Sequence, residues 1–321
     1  MGRNSRLEAR LAALEALRQV PTAPTTLTTL RQALGARNCH VVAKAAQMVG
    51  DLQLVALVPE MVDAFRFFMV NPQKTDPSCT AKTAIAEALV RLRAETIQVF
   101  LDGIGHQQME RVWGGQVDTA ARLRGVSAMG LVQLQVPGTM LLLAQLLADP
   151  EVEARIAAAR AIGESGDPAG IPLLRFKALL GDAHPQVLCE CLGALLQLDP
   201  EPSLSFVASF LQHEDAAVRR ACAVALGESQ MVQALPFLET AWEDAEDREL
   251  RQAYLVAIAL LRHERALEFL LDLIAQGGDA ADDALMALRM YRDDPRIWSR
   301  VVAAREARSA GGEASDGDVA G

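Results

Sequence analysis

Aromatic side chains are scarce in this chain. They make up 4% of 321 residues, with two tyrosines and three tryptophans. Alternating runs of Val, Ile, Thr and Tyr, the signature of half-buried strands, are also missing, which argues against a sheet protein. Long hydrophobic runs are absent too. The longest uncharged apolar stretch, Val136 to Ala148, contains Gln145 and falls short of the ~20 residues that span a bilayer. Residues 1–20 set Arg3, Arg6, Arg10 and Arg18 among Leu7, Leu11, Leu14 and Leu17, the spacing of an amphipathic helix rather than of a signal peptide. A soluble, cytoplasmic protein is therefore expected.

Five cysteines (Cys39, Cys79, Cys189, Cys191, Cys222) are an odd number without a framework. Cys189 and Cys191 would point ~200° apart on a helix and cannot grip one metal together. Buried, reduced thiols are the expectation. There is no Gly-x-Ser-x-Gly, no Gly-rich phosphate loop followed by Lys, and no carboxylate pair with an evident acid/base partner.

What the chain has is 51% hydrophobic residues, which with so few aromatics means Leu and Ala. Both are strong helix formers, and small Ala side chains let helices approach closely. The net charge of −10 is unevenly spread. Residues 1–134 hold 15 Lys+Arg against 11 Asp+Glu, net +4, whereas residues 135–321 hold 16 against 30, net −14.

The decisive feature is internal repetition. The stretch Ala154-Arg-Ile-Ala-Ala-Ala-Arg-Ala-Ile-Gly-Glu-Ser165 matches Val218-Arg-Arg-Ala-Cys-Ala-Val-Ala-Leu-Gly-Glu-Ser229 at an offset of 64. Ile171-Pro-Leu-Leu174 matches Leu235-Pro-Phe-Leu238 at the same offset. An intermediate copy, Val187 to Leu196, halves the offset to a period of 32. Each copy is preceded by a second apolar-periodic segment, from Leu27–Leu34 through Met140–Leu147 to Leu267–Ile274, so each repeat reads as helix A, turn, helix B. A lone hairpin leaves an apolar face open, and stacked copies close it. The fold expected is an all-α solenoid, or superhelix, of about eight hairpins. Its parts are an N-terminal capping helix (1–20), three irregular repeats (25–134) and five regular ones (137–291). A C-terminal capping helix (294–308) and a disordered acidic tail (309–321) complete it.

The period, the Val/Ala-Arg-x-x-Ala-(Ala)-x-Ala-Leu/Ile-Gly pattern and the following Leu-Pro-x-Leu resemble HEAT-like repeats, an armadillo-like architecture, of the short kind found in phycobilin lyase subunits. The resemblance spans nearly the whole chain and is most specific between 118 and 262. It implies a packing pattern more than an activity. One implied alternative is a subunit of a bilin-lyase-like enzyme, or of another enzyme on the same scaffold. The HEAT-like deoxyhypusine hydroxylases bind iron through His-Glu pairs just after the repeat arginine. The matching pairs here, such as Leu123-Arg124, Cys189-Glu190 and Arg220-Ala221, are not His-Glu. His213-Glu214 and His263-Glu264 read as turn residues, and no metal or other cofactor is expected.

Candidate contacts are of three kinds. Arg122, Arg155, Arg219 and Arg251 recur at the start of helix B, either pairing with turn acids and carbonyls between repeats or forming a partner-binding ladder on a concave face. Two irregular loops break the array, one at 70–80 and one at 103–117. The second carries Arg111 and Trp113, which either cover the core or contact a partner. Glu243, Asp244 and Asp247 belong to a dense acidic turn that is either a solvated face or a field that would steer a basic partner. Acids beside the helix B arginines argue against nucleic acid. The expected function is a non-catalytic scaffold that binds a protein or peptide partner.

Overall fold

The computed structural model describes residues 3–19 and 24–315. The chain forms two compact units, Met1–Asp167 and Pro168–Gly321. Both are built from antiparallel helical hairpins.

In the first unit, α1 (Arg3–Ala16) precedes four hairpins. These are α2 (Pro24–Leu34) with α3 (Cys39–Asp51), and α4 (Val58–Met69) with α6 (Thr80–Arg91), the single turn α5 (Pro72–Thr75) lying between them. Then follow α7 (Ile97–Ile104) with α8 (Ala121–Gln133), and α9 (Thr139–Leu146) with α10 (Val152–Ser165). Each helix A packs on its own helix B, and the B helices form a row in which α3 meets α6, α6 meets α8 and α8 meets α10. Small side chains make that row possible. Ala154, Ala158, Ala159, Ala161 and Gly163 of α10 are all buried. Helix α1 covers the open side of α3, burying Leu14, and the 3-10 turn after it, Leu17–Gln19, pairs Arg18 with Asp51 at 2.6 Å.

The second unit repeats the plan with α11 (Gly170–Leu180) and α12 (Pro185–Leu198), α13 (Pro200–Ala208) and α14 (Ala216–Glu228), α15 (Leu235–Asp244) and α16 (Arg248–Leu260), and α17 (Glu264–Gln276) and α18 (Gly278–Ala287). Its B helices α12, α14, α16 and α18 stack in sequence order, and α19 (Pro295–Ser315) closes the unit against α17, with Val301 fully buried. The repeat glycine is a contact point here. A Cβ on Gly227 of α14 would lie 2.5 Å from the Ala257 carbonyl oxygen of α16, so only glycine permits this approach.

Turn chemistry sets the helix starts. Asn38 accepts from the Val41 N–H, Asp215 from Ala217, and Asp247 from Glu249 and Leu250. Gly166, at φ 64°, ends α10 in the left-handed region. His263 is the N-cap of α17, its ring accepting from the Arg265 N–H, so the second His-Glu dipeptide sits at a helix start, with Glu264 the first residue of α17 rather than in the turn.

The structure departs from the sequence reading in three places. The 103–117 stretch, read as an irregular loop, carries a two-stranded antiparallel hairpin, β1 (Met109–Val112) and β2 (Gly115–Asp118). The 70–80 stretch holds α5 and a 3-10 turn, Pro77–Cys79. The last helix runs on to Ser315, beyond the expected end at 308. The remainder of the expected tail, 316–321, lies outside the described residues.

No described helix is long and apolar enough to cross a membrane. No group of three or more potential metal ligands occurs among the described residues. None of the five cysteines forms a disulfide, and four are buried. Burial lifts the Cys79 thiol to about 11 and that of Cys191 to about 12, which leaves neither as a ready nucleophile.

Candidate functional site

The first unit concentrates buried charge where the two irregular stretches meet. The Lys82 and Asp76 side chains are both fully buried. The Lys82 ammonium donates to Asp76 Oδ2 at 3.0 Å, to Gln108 Oε1 at 2.9 Å and to the Phe68 carbonyl at 3.4 Å. Asp76 also accepts from the backbone N–H groups of Ala81 and Lys82, at 2.7 and 3.0 Å, at the start of α6. All three ammonium protons thus have acceptors, a condition for a buried ion pair to be tolerated.

Gln108 joins this pair to the hairpin. Its side-chain amide donates to the Asp76 carbonyl at 2.8 Å and to Glu110 Oε1 at 2.6 Å. Glu110, on β1, also receives the Ser78 N–H at 2.7 Å and the Thr119 hydroxyl at 3.2 Å. Gln73 reaches across to the Met109 carbonyl at 2.7 Å. Ser78 and Cys79 both have positive φ, 59° and 53°, a conformation costing non-glycine residues ~1–3 kcal/mol each. The Glu110 carboxylate and the Asp76 carboxylate flank that strained turn and hold it.

The opposite strand is fixed by a second ionic group. Asp118, at the end of β2, accepts from the Gln108 and Ala120 N–H groups at 2.9 and 3.0 Å and from Arg124 Nη1 at 2.7 Å. Burial alone would raise its carboxyl, but these hydrogen bonds and the Arg124 charge outweigh it and hold it below the ordinary value. Arg124 then forks onto Asp149, Nε to Oδ2 and Nη2 to Oδ1, both at 2.8 Å, and gives a further bond to the His106 carbonyl at 2.9 Å. The arginine side chain is only 2% exposed.

The tip of the hairpin is the reverse of its base. Val112 pairs with Gly115, and Trp113-Gly114 close the turn. Gly114 adopts φ 94°, which a residue with a Cβ would strain to reach. The Trp113 side chain is fully solvent-exposed, at 103%. Met109, Val112 and Val117 are exposed as well. Arg111 is exposed and pairs with Gln116 across the ladder. Trp113 therefore does not fold back on the core. An apolar prong is held on a polar, buried root.

The recurring arginines have other partners. In the first unit, Arg122 pairs with Glu87 of α6 at 2.6 Å, and Arg155 donates to the Asp149 and Pro150 carbonyls at 2.8 and 2.9 Å. In the second unit, Arg251 stacks over Trp242 at 5.2 Å, and the Nε of Arg219 is buried with no acceptor among the described residues. Glu243 and Asp244 are exposed at the end of α15, while Asp247 caps α16. No motif in the sequence marks Lys82 or Arg124 as a site residue. Arg124 stands four and seven residues before the buried Ala128 and Leu131, and a cation on that face is a signal of a buried partner.

Comparison with known proteins agrees with the repeat. A family model for HEAT repeats matches residues 175–259, and one for the PBS lyase HEAT-like repeat matches residues 154–176. No curated protein matches the chain. Among solved structures, the complex of CpcE and CpcF of phycocyanin lyase from Nostoc sp. PCC7120 aligns at 20% identity and a TM-score of 0.39, over 76% of this chain and 94% of that one. Human deoxyhypusine hydroxylase, in complex with glycerol, aligns at 21% identity and a TM-score of 0.32, over 80% and 91% of the two chains. Residues 154–259, built of the A–B hairpins described above, are thus HEAT-like repeats.

Proposed function

We propose that the chain is a non-catalytic scaffold that holds a protein or peptide partner, with the hairpin Met109–Asp118 as its principal point of contact. One observation carries this reading: an indole fully exposed at the tip of a hairpin whose root is fixed by buried ion pairs. Leaving a large side chain in water forgoes about 3 kcal/mol of burial. A rigid root means that little conformational entropy is lost when that side chain is finally covered. Trp and Arg dominate interface hot spots, and Trp113 and Arg111 stand together here. The acidic excess of residues 135–321 favours a partner with a basic surface, drawn in by a field that salt screens.

The test is capture by the immobilised full-length chain, at low and high salt, beside Trp113→Ala. A single partner retained at low salt, released at high salt and lost with the variant is the expected result. Equal capture by the variant, or co-purification of a coloured or iron-bearing ligand, would overturn the proposal.

A further inference from the structure

In the second unit, the turn between α16 and α17 and the turn before α19 enclose a cleft of about 420 Å³. Its volume lies within the ~300–1,000 Å³ range of small-molecule sites. The floor is apolar, made by Leu267, Leu270, Leu288 and Ile297. Leu267 and Ile297 are partly exposed on this floor, with Leu270 and Leu288 fully buried beneath, where α17 packs against α19. Tyr291 fixes one wall by donating its hydroxyl to the Ala259 carbonyl at 2.6 Å.

The rim carries charge in a definite balance. Three arginines line it, Arg262, Arg296 and Arg300, against two carboxylates, Glu264 and Asp294. Arg300 pairs with Glu264 at 2.7 Å and Arg296 with Asp294 at 3.6 Å. Pairing these off leaves one positive charge, that of Arg262, in a segment that otherwise carries a strong acidic excess. Arg262 is exposed and holds φ 52° in the tight turn after α16, which sets its side chain at the mouth. Beside it, His263 Nδ1 accepts the Arg265 N–H at 3.2 Å. A neutral ring in that arrangement carries its proton on Nε2, a second donor at the rim.

From the apolar floor and this single unbalanced cation we infer a binding site for a small amphipathic monocarboxylate, its hydrocarbon or aromatic body on the leucines and its carboxylate on Arg262. A guanidinium fork matches a carboxylate, and one net charge suits a monoanion better than a phosphate dianion. The inference stands apart from the hairpin proposal, since every residue it uses lies in the second unit.

Titration calorimetry of the full-length chain tests it, with octanoate as the probe, acetate and inorganic phosphate as anions without a body, and 1-octanol as a body without a charge. Saturable octanoate binding is expected, at least tenfold tighter than that of any of the three controls, and weakened about tenfold or more in Arg262→Ala. Arg289→Ala removes an exposed arginine outside the cleft and should leave octanoate affinity unchanged. Leu267→Trp, which fills the floor, should abolish binding. Octanol binding as tightly as octanoate, equal affinity in Arg262→Ala, phosphate outcompeting octanoate, or no saturable binding would each overturn the assignment.

Discussion

Arg124 grips Asp149 through two parallel N–H···O bonds of 2.8 Å while a third bond of 2.7 Å reaches Asp118. One side chain thus ties helix α8, the end of the β-hairpin and the turn before α10 into a single ionic knot. Removing one member of a buried pair strands the others, at ~3–5 kcal/mol. Arg124→Ala should therefore lower unfolding stability by about that amount, and Arg124→Lys should recover only part of it because the fork is lost. Urea denaturation followed by circular dichroism measures both. A change below 1 kcal/mol in Arg124→Ala would show that the knot contributes little.

Trp113 should behave oppositely. Its exposed indole contributes little to the fold, so Trp113→Ala should change stability by no more than ~0.5 kcal/mol. A thermal melt that drops substantially would mean the indole packs against the body.

Loosening the root should free the prong. Lys82→Met leaves Asp76 without its ammonium partner and Gln108 Oε1 without its closest donor. Amide hydrogen exchange should accelerate across Met109–Asp118 more than across α3 or α10. Uniform acceleration over the whole unit would point instead to global destabilisation.

Two glycines in B helices should respond with opposite signs to the same substitution. A Cβ at Gly193 of α12 meets nothing within 4 Å, so Gly193→Ala should stabilise by ~0.5–1 kcal/mol through helix propensity. At Gly227 the new carbon would press on the Ala257 backbone, and overpacking of ~1–3 kcal/mol should win. Denaturation midpoints of the two variants decide it, and same-sign shifts would refute the contrast.

Acidification should weaken the fold in two stages. Burial is the main cause that holds the His106 ring below its usual 6.5, so the unfolded chain takes up the proton first and stability falls as pH drops below about 6.5. Asp118 is held below its usual 3.8, so its contribution is complete above that value and is lost as pH falls through the lower folded value. His106→Asn should remove the first slope and Asp118→Asn the second. A flat profile between pH 4 and 6.5 in the unmodified protein would contradict the first stage.

The hairpins were legible because their apolar period, their Ala-rich B helices and their glycines all report packing. Gly227 stands in the repeat motif and touches Ala257 for the same reason. The irregular stretches were legible only as interruptions. Val112-Trp-Gly-Gly115, with Val117 beyond, carries the two-residue glycine turn of a hairpin, but four-residue strands give too few alternations to stand out against helical periodicity. Lys82 occupies the arginine position of its repeat, and nothing in its neighbours along the chain announces Asp76 or Gln108 as its partners. Such networks depend on side chains brought together from 26 residues away, which local pattern does not encode.

The fully exposed tip also gives the molecule an optical reporter. Of its three tryptophans, Trp242 is partly shielded and packs edge-on against Phe269, and Trp298 is partly shielded on α19. Trp113 alone stands wholly in water, so aqueous quenchers will strip its emission first, and any partner that covers the prong will both protect that emission and shift it to the blue.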